Sequence, residues 1–242
     1  MPVPKAPRPV GVALVDKPAG PSSFALVAAL RRRTGARTGH TGTLDPFATG
    51  LLVLLSGAAT RLAPCFSGLD KRYLTDVDLR ATTTTGDPEG QVVERHEPVP
   101  DIEAALEPLR GEVELPIPAA SAVKIGGERA YRLQRRGVVL EMPMRRSLVH
   151  SLEVVAASPG SVRLAVHVSS GTYVRSLAQA LGGHCTSLRR TAVGPFVVDE
   201  AAPVEQAGLV PVAETLARLP ADALGRVPAG VRERVLALEA QA

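Results

Sequence analysis

The chain has 242 residues, 45% hydrophobic and 21% charged, with a net charge of +4 and a pI near 9.4. That is enough apolar material for a sizeable core and excludes a chain disordered as a whole, while the basic balance permits a polyanionic partner without requiring one. No apolar stretch approaches the ~20 residues of a membrane span. The amino terminus lacks a signal-peptide apolar centre, and Cys65 and Cys185 show no metal-ligand spacing. A cytoplasmic protein with reduced thiols and no bound metal is expected.

With no Trp, four Phe and three Tyr, the core must be aliphatic. Residues 1–10 read as a loose tail. Val10 to Val15 forms a short apolar strand, and Asp16-Lys17-Pro18-Ala19-Gly20 is a turn by composition. Ser22 or Ser23 can cap a helix carrying Phe24, Leu26, Val27 and Leu30 at helical spacing, closed by Arg31-Arg32-Arg33 and ended by Gly35. Three successive cations suit a helix carboxyl terminus as well as they suit a phosphate contact.

The densest stretch runs from Thr38 to Gly50, where three glycines and four threonines surround the single carboxylate of Asp45. Such a backbone can turn sharply and approach a partner closely. Pro46 keeps Asp45 out of the helical region, so the acid is expected extended at a loop tip, and Leu51 to Leu55 anchors the loop as a strand. A phosphate-binding loop is excluded, because neither Gly-Lys-Ser/Thr nor a dinucleotide fingerprint is present. Spacing alone leaves open a glycine-rich connection whose aspartate merely caps the next element.

Asp70-Lys71-Arg72-Tyr73 leads into a half-buried strand to Leu79. Thr82 to Gly90 then makes a turn, from which Gln91 to Glu94 returns as a strand. Ile102 to Leu109 is helical and Gly111 ends it. After Leu115-Pro116-Ile117-Pro118 comes a basic segment in which Arg129, Arg132, Arg135 and Arg136 fall near one helical face, an ordinary solvated face unless something acidic meets it. Ser147–Val155 and Ser161–Val168 pair through residues 156–160. The second strand runs into Ser169 to Leu177, a helix to Leu181 follows, and Leu188 to Phe196 is a further strand.

Gly39-His40-Thr41-Gly42-Thr43-Leu44-Asp45-Pro46 with Ala48-Thr49-Gly50 resembles the catalytic loop of the bacterial tRNA pseudouridine-55 synthases. Five further segments are similar to that family: Asp16 to Gly20 with Ser23, the Thr82–Gly90 turn, Ser121-Ala122-Val123-Lys124 with Ala130-Tyr131, Ser169-Ser170-Gly171-Thr172-Tyr173-Val174-Arg175, and Leu188 to Phe196. The resemblance covers residues 11 to 200 and implies a mixed α/β (α+β) fold around a largely antiparallel sheet, with an RNA-clamping insertion at about 119–147. Residues 201–242 are expected to be a short helical appendage in place of a full carboxyl-terminal RNA-binding module. Ala120 stands where the family carries an aromatic, so no stacking is expected there.

The resemblance further implies isomerisation of uridine to pseudouridine in the T-arm of tRNA, by a monomer that uses no cofactor. Breaking one glycosidic bond and remaking it through C5 needs no redox change and no outside atom. It does need a nucleophile, for which Asp45 is the candidate, and a base drawn out of its stack at a cost of roughly a few kcal/mol. Tyr73 is implied to stack on that base and Tyr173 to lie beside it. Arg175, two residues from Tyr173 and on the same face if the segment is a strand, is expected to pair with Asp45 and keep it ionised and oriented. His40 is assigned to the place of the extruded nucleotide, within a loop that includes Gly42 and Thr43, and Leu188 to the core leucine region. Lys17, Arg72, Lys124, Arg129 and Arg132 are the phosphate candidates. A tRNA-folding chaperone and a modifier of another RNA are the competing readings.

Overall fold

The computed structural model describes residues 9–242 except 96, 98, 122, 137 and 139; the expected amino-terminal tail lies almost wholly outside them. In chain order the elements begin with β1 (Gly11–Lys17), α1 (Ser23–Thr34), β2 (Thr38–His40), β3 (Thr49–Ser56), α2 (Ala63–Ser67), β4 (Lys71–Asp78), β5 (Ala81–Thr83) and β6 (Val92–Arg95). They continue with α3 (Ile102–Leu106), β7 (Gly111–Pro116), β8 (Lys124–Ile125), β9 (Glu128–Arg129), α4 (Ala130–Arg135), β10 (Met144–Ser158) and β11 (Ser161–Val168). Last come α5 (Val174–Ala180), β12 (His184–Val193), β13 (Phe196–Val197), α6 (Val212–Ala217), α7 (Ala221–Gly225) and α8 (Ala229–Glu239). Among the described residues no helix is long and apolar enough to cross a membrane.

The chain divides into two compact units, one of residues up to Lys71 together with Arg189–Ala242, the other of Arg72–Leu188. In the first unit β3 pairs antiparallel with β1 and β2 and parallel with β12. The apolar run of β3 is buried on both faces, which is why it reads as continuous rather than alternating. Leu51, Val53 and Leu55 join Val12 and Leu14 in one layer with Phe66, Phe196, Val212, Leu216 and Val235. Leu52 and Leu54 join Ala13 and Val15 in the opposite layer with Leu26, Val27 and Leu30 of α1. Each such leucine, fully buried, contributes about 1.5–3 kcal/mol over its exposed state.

Residues 201–242 are therefore not an appendage. Two β-bridges, Val12 to Val210 and Val15 to Ala202, tie them to β1, and helices α6 to α8 supply one of its two covering layers. Their alanine- and leucine-rich composition is that of a core layer. Ser22 caps α1 by accepting from the Ala25 N–H, and Gly35 ends it at φ 65°, a left-handed value glycine adopts without strain. Phe24, expected on the buried face, is instead 72% exposed. Of the three closing arginines, Arg33 donates to the Val204 and Ala207 carbonyls, so its job is structural.

In the second unit the order is β4-β11-β10-β7, with β10 antiparallel to both neighbours. Strand β10 runs to Ser158, so the expected five-residue connection shrinks to Pro159-Gly160. Strand β11 buries Val162, Leu164, Val166 and Val168 on one face, the period of two expected of a half-buried strand. Asp101 caps α3, and β5 pairs with β6 across the threonine-rich turn.

Candidate active site

Asp45 sits in the irregular segment between β2 and β3, half-buried, at the place its glycines and Pro46 predict. Five sets of hydrogen bonds fix that segment. Ser23 Oγ both donates to the Leu44 carbonyl (2.9 Å) and accepts from the Leu44 N–H (2.8 Å). The Gly20 N–H donates to the Pro46 carbonyl (2.8 Å), and the Thr41 N–H to Val53 on β3. Lys17, fully buried at the end of β1, donates to the carbonyls of Pro18, Pro46 and Ala48 at 2.9, 3.1 and 2.6 Å. Arg190, 2% exposed on β12, donates to Leu51, Gly42 and Thr43 at 2.7, 3.0 and 3.4 Å.

Two buried cations thus face the carbonyl oxygens of the loop that presents the acid. Charge-assisted hydrogen bonds are the strong kind, and these hold backbone on both sides of Asp45. Gly50 closes the arrangement: its φ is +100°, and a Cβ there would collide with the backbone of Arg190. This corrects the phosphate role expected of Lys17, whose ammonium is out of solvent. Its place was not legible, since β1 is buried on both faces and residues 16–20 read as a turn.

His40 ends β2, half-buried, and its Nδ1 has no partner among the described residues. Burial, and secondarily the Arg190 charge, hold its pKa below 6.5, so the ring is held neutral. Lys71, also buried, donates to the Ser67 carbonyl at 2.7 Å and to that of Leu69. Desolvation, joined by the Arg190 charge, brings its pKa down to about 8. Neither Arg190 nor Lys71 stood out in the sequence, because a cation's burial depends on which carbonyls the fold gathers around it.

In the second unit Tyr73 lies half-buried on β4 beside exposed Arg72. Tyr173 and Arg175 differ from expectation. Tyr173 is the N-cap residue of α5 and Arg175 lies in that helix's first turn, so the two do not share a strand face. The run Val174 to Leu177 reads equally as strand or helix, and Gly171 just ahead of it lets the chain turn into a helix. Arg175, 2% exposed, donates to the Asp87 carboxylate (2.9 Å), the Thr85 carbonyl (2.8 Å) and, through its other nitrogen, the Ala120 carbonyl (2.9 Å).

Asp87, itself 3% exposed, also accepts from Thr85 Oγ1 at 2.5 Å and the Glu89 N–H at 3.0 Å. It is absent from the expected site residues, although the Thr82–Gly90 turn that holds it is one of the family-like segments. The available signal was the threonine run, which supplies hydroxyl donors to an acid.

The basic segment forms the β8–β9 hairpin and α4, with Lys124, Arg129 and Arg132 exposed. Arg132 lies over the Tyr131 ring at 5.9 Å, and Arg136 pairs with Glu128 at 2.7 Å. The side chain of Arg135 lies outside the described residues. Leu188 is buried on β12, so apolar packing is what it can offer a base.

Comparison with known proteins gives the family. Residues 31–174 match the TruB family pseudouridylate synthase, N-terminal domain. A tRNA pseudouridine synthase B of Mycobacterium sp. (strain KMS) is 44% identical over 210 residues, 81% of this chain and 71% of the relative. One from Thermobifida fusca is 41% identical over 93% of this chain and 84% of the relative. Among solved structures, a Cbf5-Nop10-Gar1 complex shares 29% identity at a TM-score of 0.60, over 79% of this chain and 51% of its counterpart, so the chain spans about half the length of that structural relative. On these matches and the mixed, mostly antiparallel fold, the chain belongs to the TruB family of pseudouridylate synthases and is an isomerase.

Proposed function

We propose that this enzyme converts the uridine at tRNA position 55, in the T-loop, to pseudouridine, with the Asp45 carboxylate as nucleophile. The observation that carries the reading is the clamped loop: backbone on both sides of Asp45 is bonded to buried Lys17 and Arg190, so the acid is held before substrate arrives. The 41–44% identity to proteins named tRNA pseudouridine synthase B, over most of the chain, supports tRNA as substrate.

The chemistry balances without an outside reagent. The bond from N1 to ribose C1′ breaks, the uracil turns while held, a bond from C5 to C1′ forms, and the C5 proton leaves as N1 gains one. Asp45 holds the intermediate covalently. Arg175, set in place by Asp87, engages Asp45. Tyr73 stacks on the extruded base, worth roughly 1–3 kcal/mol, with Tyr173 beside it. His40, held neutral, fills the gap the base leaves. Arg72, Lys124, Arg129 and Arg132 meet phosphates.

Incubation with unmodified tRNA transcript, and with an isolated T-arm stem-loop, followed by base-resolution mapping tests this reading. Pseudouridine at position 55 alone, in both RNAs, is expected. Product elsewhere, or only in another class of RNA, would overturn it.

A further inference from the structure

Helix α1 buries Leu26, Val27 and Leu30 and turns a mixed face the other way. On that face Phe24, Ala28 and Arg32 recur at helical spacing, flanked by Ala25 and Arg31. Phe24 is 72% exposed, and among the described residues no other Phe or Tyr is an exposed one. From Lys17 to Leu44 the chain carries Lys17, Arg31, Arg32, Arg33 and Arg37 and no Asp or Glu. Lys17 and Arg33 are committed to backbone carbonyls. Arg31 and Arg32 are exposed, and neither guanidinium has a hydrogen bond or ion pair among the described residues. Arg110, Arg163 and Arg218, by contrast, each meet a carboxylate. The helix also starts at the catalytic loop: its first residue, Ser23, holds both backbone groups of Leu44, next to Asp45.

Cations that track phosphates and a ring on which a base can stack are the two ingredients of a surface for unpaired nucleic acid. We propose that this face of α1 is a second RNA-binding surface: Arg31 and Arg32 meet backbone phosphates of the substrate, and Phe24 stacks on an unpaired base other than the extruded uracil. This rests on the proposed action on tRNA and goes beyond it, since the surface lies outside both the catalytic loop and the basic segment. Phe24 and Arg32 are roughly 12 Å apart along the axis, and the alanines between them leave room for a sugar–phosphate chain to lie close. Charge selects the occupant, because an uncompensated positive face attracts a polyanion. Phe24 with two alanines also presents far less apolar area than the roughly 800 Å² each partner gives to a stable protein interface.

The test measures affinity for unmodified tRNA transcript across a salt series, with Tm and solution mass recorded for each protein. Arg31→Ala/Arg32→Ala should weaken binding about tenfold and lower the salt slope by about two. Phe24→Ala should weaken it at least about fivefold with the slope unchanged, and Phe24→Tyr, which keeps a ring, should recover most of that loss. Arg234→Ala, an exposed cation on α8, controls for net charge and should leave the slope at the wild-type value. Wild-type affinity and slope in the double variant would overturn the proposal, as would an equal loss in Arg234→Ala. A Tm that falls with affinity would show side chains that merely hold α1 in place, and a change of mass in Phe24→Ala would show a contact between copies of the chain; either overturns it. Mapping pseudouridine with the wild type keeps the two readings apart. An active wild type whose variants bind unchanged counts against this face alone, whereas a wild type that binds tRNA and forms no pseudouridine counts against the reaction alone.

Discussion

The loop around Asp45 and the basic segment Lys124–Arg136 both depend on cations, and they use them in opposite ways. In the loop, Lys17 and Arg190 are buried and spend their donors on backbone carbonyls, so their charge fixes geometry. In the basic segment, Lys124, Arg129 and Arg132 are exposed on a two-residue-per-strand hairpin and a six-residue helix. They lie at the surface, where a polyanion can meet them. Arg175 stands apart from both, because its buried guanidinium meets a carboxylate and so positions a side chain. A sequence shows the number of cations; only the fold shows which of these three jobs each does.

Breaking the Arg175–Asp87 pair should have the largest effect. Asp87→Ala leaves a buried guanidinium without its carboxylate, a loss of about 3–5 kcal/mol in urea unfolding. Arg175→Leu should depress turnover far more than RNA affinity, and the reverse split would refute its assignment beside Asp45.

Arg190→Met comes next, since it removes three donors from the loop. A loss of roughly 2–4 kcal/mol is expected, with kcat falling further than Kd rises. A variant as stable and active as wild type would show that the buried cation does not set the loop.

Lys71 gives a smaller effect with a defined sign. Its folded pKa is lowered to about 8 from 10.5, so between those values the unfolded chain binds more protons and stability rises with pH. Relative to Lys71→Met, the wild type should gain about 1 kcal/mol between pH 7.5 and 9 in denaturant titrations. A flat difference would contradict the burial.

The smallest effects belong to the exposed cations. Lys124→Ala or Arg132→Ala should weaken RNA binding by only about two- to fivefold, reduce the salt slope by about one per lost phosphate contact, and leave folding unchanged. An unaltered salt slope would make the basic segment an ordinary solvated face.

Much of this comparison was legible beforehand. Glycine, threonine and Pro46 announced the Asp45 loop because each acts on the backbone locally, glycine by freeing it and proline by fixing it, and Ser22 and Gly35 marked the ends of α1 by equally local effects. What escaped was decided at long range. Asp87 became a site residue through Arg175, 88 positions away in sequence. Residues 201–242 became a core layer because β3 needs cover on both faces. Tyr173 and Arg175 were placed on a strand because four apolar and polar residues after a turn satisfy either period.

The central claim is that one carboxylate, fixed by a clamped loop, performs the isomerisation. Asp45→Asn, assayed against wild type on unmodified tRNA under single-turnover conditions, tests it most directly. Pseudouridine formation should fall by at least about 10⁴-fold, while RNA affinity and Tm stay near wild type. A neutral side chain at residue 45 that still isomerised uridine at the wild-type rate would contradict the account.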